Sequence, residues 1–139
     1  MALNSRSKGQ RAERQVIEIL QPVVNKVYAS LGIEAPSLER NLMQSMKGGF
    51  DVVGLEWMAL EIKHQETFHV DTWWQQAKRQ SKLDQTPILF YKRNHSKWQV
   101  RMNISIQLEK MKVNCPGDIS LQSFLFWFEL KVKQEAIRK

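Results

Sequence analysis

Lys47-Gly48-Gly49-Phe50-Asp51-Val52-Val53-Gly54-Leu55-Glu56-Trp57-Met58-Ala59-Leu60-Glu61-Ile62-Lys63 is the stretch on which the reading of this chain turns. Lys47-Gly48-Gly49 is a turn. Phe50 to Gly54 reads as a short strand, Gly54 to Glu56 as a second turn, and Trp57 to Lys63 as a second strand. Successive side chains on a strand point to opposite faces. Met58, Leu60 and Ile62 therefore share an apolar face, and Ala59, Glu61 and Lys63 share the other. Asp51 and Glu61 at neighbouring strand positions form a pair of oxygen ligands suited to a hard divalent cation such as Mg2+. A cation held there can polarise a phosphoryl oxygen and acidify a bound water. Lys63, two residues on, can orient that water or offset phosphate charge. Alone the signal is weak. Glu-x-Lys usually marks a solvated strand face, and an Asp after two glycines is a common turn residue.

Upstream, Ala12, Val16, Ile19, Leu20, Val23, Val24 and Val27 recur at helical spacing. The helix is expected to begin near Lys8 with Ser7 as its N-cap, after loose residues 1–7, to kink or restart at Pro22, and to end between Gly32 and Pro36. Glu13 lies in its first turns, where it either complements the helix dipole or adds a further carboxylate to the site. Residues 37–49 resist assignment. Downstream, 72–83 reads as a helix with Asp71 as N-cap, and Ile88 to Tyr91 as a buried strand. After a turn at 94–96, Trp98 to Met102 completes a hairpin. Residues 103–113 are ambiguous, 114–117 reads as a loop, and Asp118 or Ser120 caps a last helix carrying Leu121, Phe124, Leu125, Phe128 and Val132. Trp73 and Trp74 point about 100° apart on a helix, so one can be core while the other is exposed, at a subunit contact or stacked on a base.

The 139 residues, 42% apolar and 25% charged, fit one α/β domain spanning 1–139. A net charge of +7 favours anionic partners, nucleic acid first. A single cysteine, Cys115, excludes an internal disulfide, and His64, His69 and His95 form no zinc pattern with it. No apolar run approaches membrane-spanning length, and residues 1–10 hold no signal-peptide core. A cytoplasmic, nucleoid-associated or viral intracellular setting with no membrane partner is the expectation.

Lys8-Gly-Gln-Arg-Ala-Glu-Arg-Gln-Val-Ile-Glu-Ile-Leu20, Gly49-Phe-Asp-Val-Val-Gly54 and Leu60-Glu-Ile-Lys63 together resemble Holliday junction resolvases of the archaeal type. These belong to the PD-(D/E)xK nuclease superfamily. The resemblance covers most of residues 8–130, its specific parts being 8–20 and 49–63. It implies a restriction-endonuclease-like α/β fold, a central mixed β-sheet flanked by helices. It implies a catalytic set of Glu13, Asp51, Glu61 and Lys63, with Asp51, Glu61 and Glu13 as ligands for Mg2+ or Mn2+. Ser45 is the counterpart of a loop serine that contributes to catalysis. Phe50 replaces the usual proline, and the segment before Asp51 is longer than in the archaeal enzymes. The small size suits a viral or mobile-element version.

The resemblance further implies a homodimer that cuts four-way DNA junctions by paired symmetric nicks. Its interface is expected on the last helix, where Leu121, Phe124, Leu125, Trp127 and Phe128 exceed a narrow core stripe, with Trp73 or Trp74 added. Arg11, Arg14, Arg40, Lys47, Gln76, Lys78, Arg79 and Lys82 are the candidate DNA-binding residues, with Lys92, Arg93 and Lys97 adding positive charge. Three alternatives stay open: a nuclease of the same superfamily acting on nicks, flaps or duplex; a non-catalytic DNA-binding protein on that fold; and a basic structural subunit of a nucleoprotein particle.

Overall fold

The computed structural model describes residues 3–43 and 49–138, so Ser45 and Lys47 lie outside the described residues. Helix α1 spans Leu3–Leu31 and buries Ala12, Val16, Leu20, Val24 and Val27 along one stripe. The expected start at Lys8 is corrected: the helix runs on to Leu3, and Ser7 is inside it. Once the stripe is pinned, each added residue gains a hydrogen bond at little further entropic cost, and Arg6, Lys8 and Gln10 are good helix formers. Pro22 does not interrupt α1. It lies on the exposed side with Glu18, whose carbonyl loses its amide partner there and can take water instead. Gly32, at φ 71°, ends the helix in the left-handed conformation.

Strands β1 (Glu39–Arg40) and β2 (Val52–Val53) form a small antiparallel pair. Gln21 of α1 holds the approach to it, accepting the Leu38 amide at 2.7 Å and donating to the Pro36 carbonyl at 3.0 Å. Gly54 leaves β2 at φ 130°, and a Cβ there would lie 2.7 Å from the Ser37 carbonyl oxygen. That position accepts only glycine.

The main sheet has the order β3 (Met58–His64), β4 (Thr86–Lys92), β5 (Gln99–Leu108), β6 (Met111–Ser120). β3 and β4 are parallel, joined by a crossover through α2 (Val70–Gln80), and the other pairings are antiparallel. Helix α3 (Leu121–Arg138) returns across the sheet. The register puts Ile62, Phe90, Val100 and Ile119 in one row on one face, and Glu61, Leu89, Arg101 and Asp118 in the adjacent row on the other. The first face forms the main core with α1 and α3, where Phe90 meets Phe124 edge-on at 5.1 Å. The second is covered by α2.

Both Trp73 and Trp74 are buried against the sheet, beside Leu89 and Tyr91. The expectation that one of them faces outward, toward a partner copy, is corrected. Phe68 and Val70, just before and at the start of the helix, pack against the same cluster. The helix also starts before Asp71, which lies in its first turn and accepts from Arg101 Nη1 at 2.9 Å.

The segment read as ambiguous and then as a loop is a long hairpin, β5–β6. β4 pairs with β5 only from Leu89–Arg101 to Tyr91–Gln99, whereas β5 pairs with β6 to Leu108–Met111. From Met102 on, β5 thus pairs with β6 alone; Met102 and Ile104 still meet the core, and Ser105 to Leu108 project from it, about 13 Å at ~3.3 Å per residue. Pro116 is tolerated because β6 is an edge strand, where a missing amide donor is not needed. Ser120 caps α3 by accepting the Ser123 amide at 3.1 Å. Asp118 is engaged elsewhere, accepting from Tyr91 Oη at 2.6 Å and from Arg101 at 2.8 and 3.0 Å. The apolar surplus read on the last helix is largely inward: Phe124 and Phe128 are buried, and Leu121, Leu125 and Trp127 pack against the core. The exposed apolar residues of α3 are Phe126, Leu130 and Ile137.

Candidate active site

Asp51 stands where β2 meets β3. Its amide donates to the Leu60 carbonyl at 2.8 Å, and its carbonyl accepts from the Asn41 amide at 2.9 Å. The Asn41 side chain also donates to the Phe50 carbonyl at 2.9 Å. The Asp51 carboxylate is aimed by the Ile62 amide, which donates to Oδ2 at 2.7 Å. Both Asp51 and Glu61 are buried, so the solvated strand face that Glu-x-Lys usually marks is not what forms here. α2 covers it.

Glu61 is held from two sides. Lys63 Nζ lies 3.7 Å from Oε1. With its amide turned to satisfy its neighbours, Gln80 Nε2 donates to Glu61 Oε2 at 2.6 Å and to the Gly49 carbonyl at 3.1 Å. Gln76 in turn donates to the Gln80 oxygen at 3.2 Å. Burial, and next the charge of Asp51, push the Glu61 carboxyl from 4.5 up to about 9, although Lys63 pulls the other way. The pair thus holds a proton at neutral pH when no cation is near.

Asp51, Glu61 and Lys63 line one open cleft of about 740 Å3, together with Glu13, Gln76 and Gln80. Ile62 lines it too, and because its side chain belongs to the core, it presents backbone there. Glu13 reaches the cleft from α1, with its Oε1 accepting from Arg40 Nε at 2.8 Å. Among the described residues, no three His, Cys, Asp or Glu side chains are grouped as a metal site. The two buried carboxylates form a pair, and Glu13 stands beside them in its ion pair.

A second groove adjoins the first along α1, lined by Lys8, Arg11, Arg14 and Gln15. His64, at the end of β3, borders both grooves. Its Nε2 is buried without a hydrogen-bond partner among the described residues, and burial, then Lys8 and Lys92, hold its pKa below the usual value. Of the remaining predicted cations, Arg40 reaches the rim of the cleft through Glu13, whereas Lys78, Arg79, Lys82 and Arg93 do not line it. Arg40 is paired with Glu13, Lys78 lies over the Trp74 ring at 5.9 Å, and Lys82 borders a separate groove beside Phe50 and Val53. Arg79 is exposed on α2, and Arg93 stacks on Phe68 at 4.1 Å.

Sequence reasoning passed over Asn41, His64 and Gln80 as site residues. The spacing Gln76-x-x-x-Gln80 was the available signal for the last, because residues four apart share a helix face.

A mixed sheet flanked by helices, with Asp51 just before β2 and Glu61-Ile62-Lys63 on β3, defines the class of PD-(D/E)xK nuclease folds. Residues 4–136 match the family described as "Phage putative PDDEXK endonuclease", and the chain belongs to that family. No curated protein and no solved structure matches the chain.

Proposed function

We propose that this chain is a metal-dependent DNA endonuclease of the Holliday junction resolvase type, acting as a homodimer on four-way junctions. The observation that carries the nuclease reading is the buried pair Asp51–Glu61 with Lys63 beside it. Family membership supports endonuclease chemistry in general. The likeness of residues 8–20 and 49–63 to junction resolvases supports the branched substrate.

The donor set fits a hard divalent cation. Burial, and next the repulsion between the two carboxylates, raise the Glu61 pKa so that one of the pair keeps a proton. A dication would relieve that repulsion with oxygen ligands of the preferred type. Asp51 and Glu61 would hold Mg2+ or Mn2+. A cation so held supplies Lewis-acid polarisation of a phosphoryl oxygen and a more acidic water.

The other groups have roles of their own. The Ile62 amide fixes the Asp51 carboxylate, and Gln80 fixes that of Glu61. The Lys63 ammonium stands at the mouth of the pair, where it can donate to a phosphate oxygen or to the attacking water. Glu13 keeps Arg40 at the rim. Lys8, Arg11 and Arg14 offer a track for the phosphates flanking the cut, which positions DNA without reading its sequence. Paired symmetric nicks require two such sites related by a two-fold axis, which is why the reading includes a homodimer.

Cleavage of a labelled four-way junction with Mg2+, beside a linear duplex of matched arms, tests this. Wild type, Asp51→Asn and Lys63→Ala are compared. Paired nicks on the junction alone, absent from both variants, are expected. Equal cutting of both DNAs would retain the nuclease and remove the junction preference. Tight binding without cleavage, with Mn2+ also tried, would leave a DNA-binding module on a nuclease fold.

A further inference from the structure

The projecting part of β5–β6 is two-faced. Cross-strand partners point to the same side of a ladder. Ile104 with Cys115, Ile106 with Val113, and Leu108 with Met111 therefore form one continuous apolar face. Ser105 with Asn114 and Gln107 with Lys112 form the opposite, polar one. By the alternation along β5, the apolar face continues the side that carries Val100 and Met102 into the core under α3. Inside the four-stranded part that side is roofed. Beyond it Ile106, Leu108, Met111 and Val113 are 47, 59, 66 and 42% exposed. A sheet face of this kind is stable in water only when another layer covers it.

The chain carries a second uncovered apolar feature on the same side of the sheet. Phe126, Leu130 and Ile137, on the outer side of α3, are 75, 58 and 62% exposed. Four- and seven-residue spacings place them in one stripe. Neither feature covers the other within the chain. Both remain open, and together they are the two halves of a sheet-on-helix contact like the one inside the core.

We infer that the β5–β6 ribbon of one copy lies on the outer α3 stripe of a second copy, and the reverse, in a two-fold pair. This deepens the homodimer in the reading above by assigning its surface. An isologous arrangement covers both features on both copies at once. Seven large apolar side chains per copy are then removed from water. At ~60–120 Å2 for each such side chain, with a little over half exposed on average, the apolar area summed over both copies is on the order of 800 Å2. Apolar atoms make up about 60% of a typical interface. The whole contact is then on the order of 1,300 Å2, within the range of stable specific interfaces. A net charge of +7 on each copy keeps copies apart at long range. Association therefore depends on this apolar contact and should survive high salt.

The test is molar mass by light scattering and sedimentation on the full chain, at about 5–100 μM and high salt. Wild type is expected at twice the chain mass. Two double variants follow, all at exposed positions: Ile106→Lys with Leu108→Lys on the ribbon, and Phe126→Glu with Leu130→Glu on the stripe. Each alone is expected to be monomeric, with the wild-type circular dichroism spectrum. Mixed in equal amounts, they should recover the dimer. The mixed pair keeps one unaltered ribbon-on-stripe contact and opposes lysines to glutamates in the other.

A monomeric wild type overturns the inference. So does a dimer that one double variant leaves intact, because ribbon-on-ribbon or stripe-on-stripe contacts would ignore the other feature. A ribbon variant that loses DNA binding at unchanged mass assigns the ribbon to DNA instead. Cleavage run alongside separates this from the function. A dimer that cuts nothing leaves the contact and removes the nuclease, and a cutting monomer does the opposite.

Discussion

The side-chain amide of Gln80 occupies the space that a Cβ on residue 49 would need, so Gly49 is what allows Gln80 to reach Glu61. The close approach places a helix amide against backbone and carboxylate together. Hydrogen bonds to charged groups are worth ~1.5–3 kcal/mol, which is about 10–100-fold in rate when the held group reacts. Gly49→Ala and Gln80→Ala should each slow cleavage by about 10-fold or more at saturating Mg2+, with the fold unchanged by circular dichroism. The double variant should lose little more than either single one. Additive losses would show that the two residues act separately.

Glu61 gives a pH signature to the metal-free protein. Its folded pKa of about 9 lies above the ordinary 4.5. Between those values the folded state keeps a proton that the unfolded chain releases. This contribution to stability is therefore full below pH 4.5, declines as pH rises, and is gone above about 9. The slope is at most ~1.4 kcal/mol per pH unit. In EDTA, urea midpoints should fall from pH 5.5 to 8.5 for wild type and fall less for Glu61→Gln. Identical pH profiles for the two would show that Glu61 does not carry the retained proton.

The Glu13–Arg40 pair ties α1 to β1 at the rim of the cleft, with side chains 18 and 21% exposed. A pair of this exposure contributes about 1 kcal/mol. A double-mutant cycle of Glu13→Gln and Arg40→Gln on urea stability should give a coupling near that value. Vanishing coupling would mean that the two side chains do not hold each other in solution.

Lys8, Arg11 and Arg14 border the groove beside the site. Removing one cation that neutralises a phosphate lowers the log–log salt slope of DNA affinity by ~0.9. Lys8→Ala, Arg11→Ala and Arg14→Ala should weaken junction and duplex binding alike, each with a slope reduced by about that amount. Lys133→Ala, exposed on α3, should leave the slope unchanged. Equal slopes in all variants would place the DNA elsewhere.

The central parts of the fold were legible because their patterns were strong. The period of two in Met58 to Lys63 and the stripe from Ala12 to Val27 each specified an element and its inward face. The proximity of Asp51 to Glu61 followed from two short strands with a turn between them. What was hidden depended on partners remote in sequence. Asn114 to Gly117 carries every local sign of a loop, and becomes strand because β5 offers a ladder to an edge where Pro116 costs nothing. The Glu109 turn, at φ 49°, lacks the Asn-Gly or Asp-Gly that announces most tight hairpins. Gln80 resembled any surface amide until α2 was laid over β3. Leu3 to Ser7 was too polar to register as helix, because its support comes from the stripe that follows it.

The parallel pairing of β3 with β4 has a consequence for how the protein is made. β3 gains that neighbour only after α2 has crossed the sheet and residues 86–92 have been synthesised. The amide that holds Glu61 sits on the crossover itself, at residue 80. A chain still on the ribosome with Asp51, Glu61 and Lys63 already exposed has the reactive groups without the frame that aligns them. Whatever chemistry this cleft performs, its frame is complete only once residues 86–92 have joined β3.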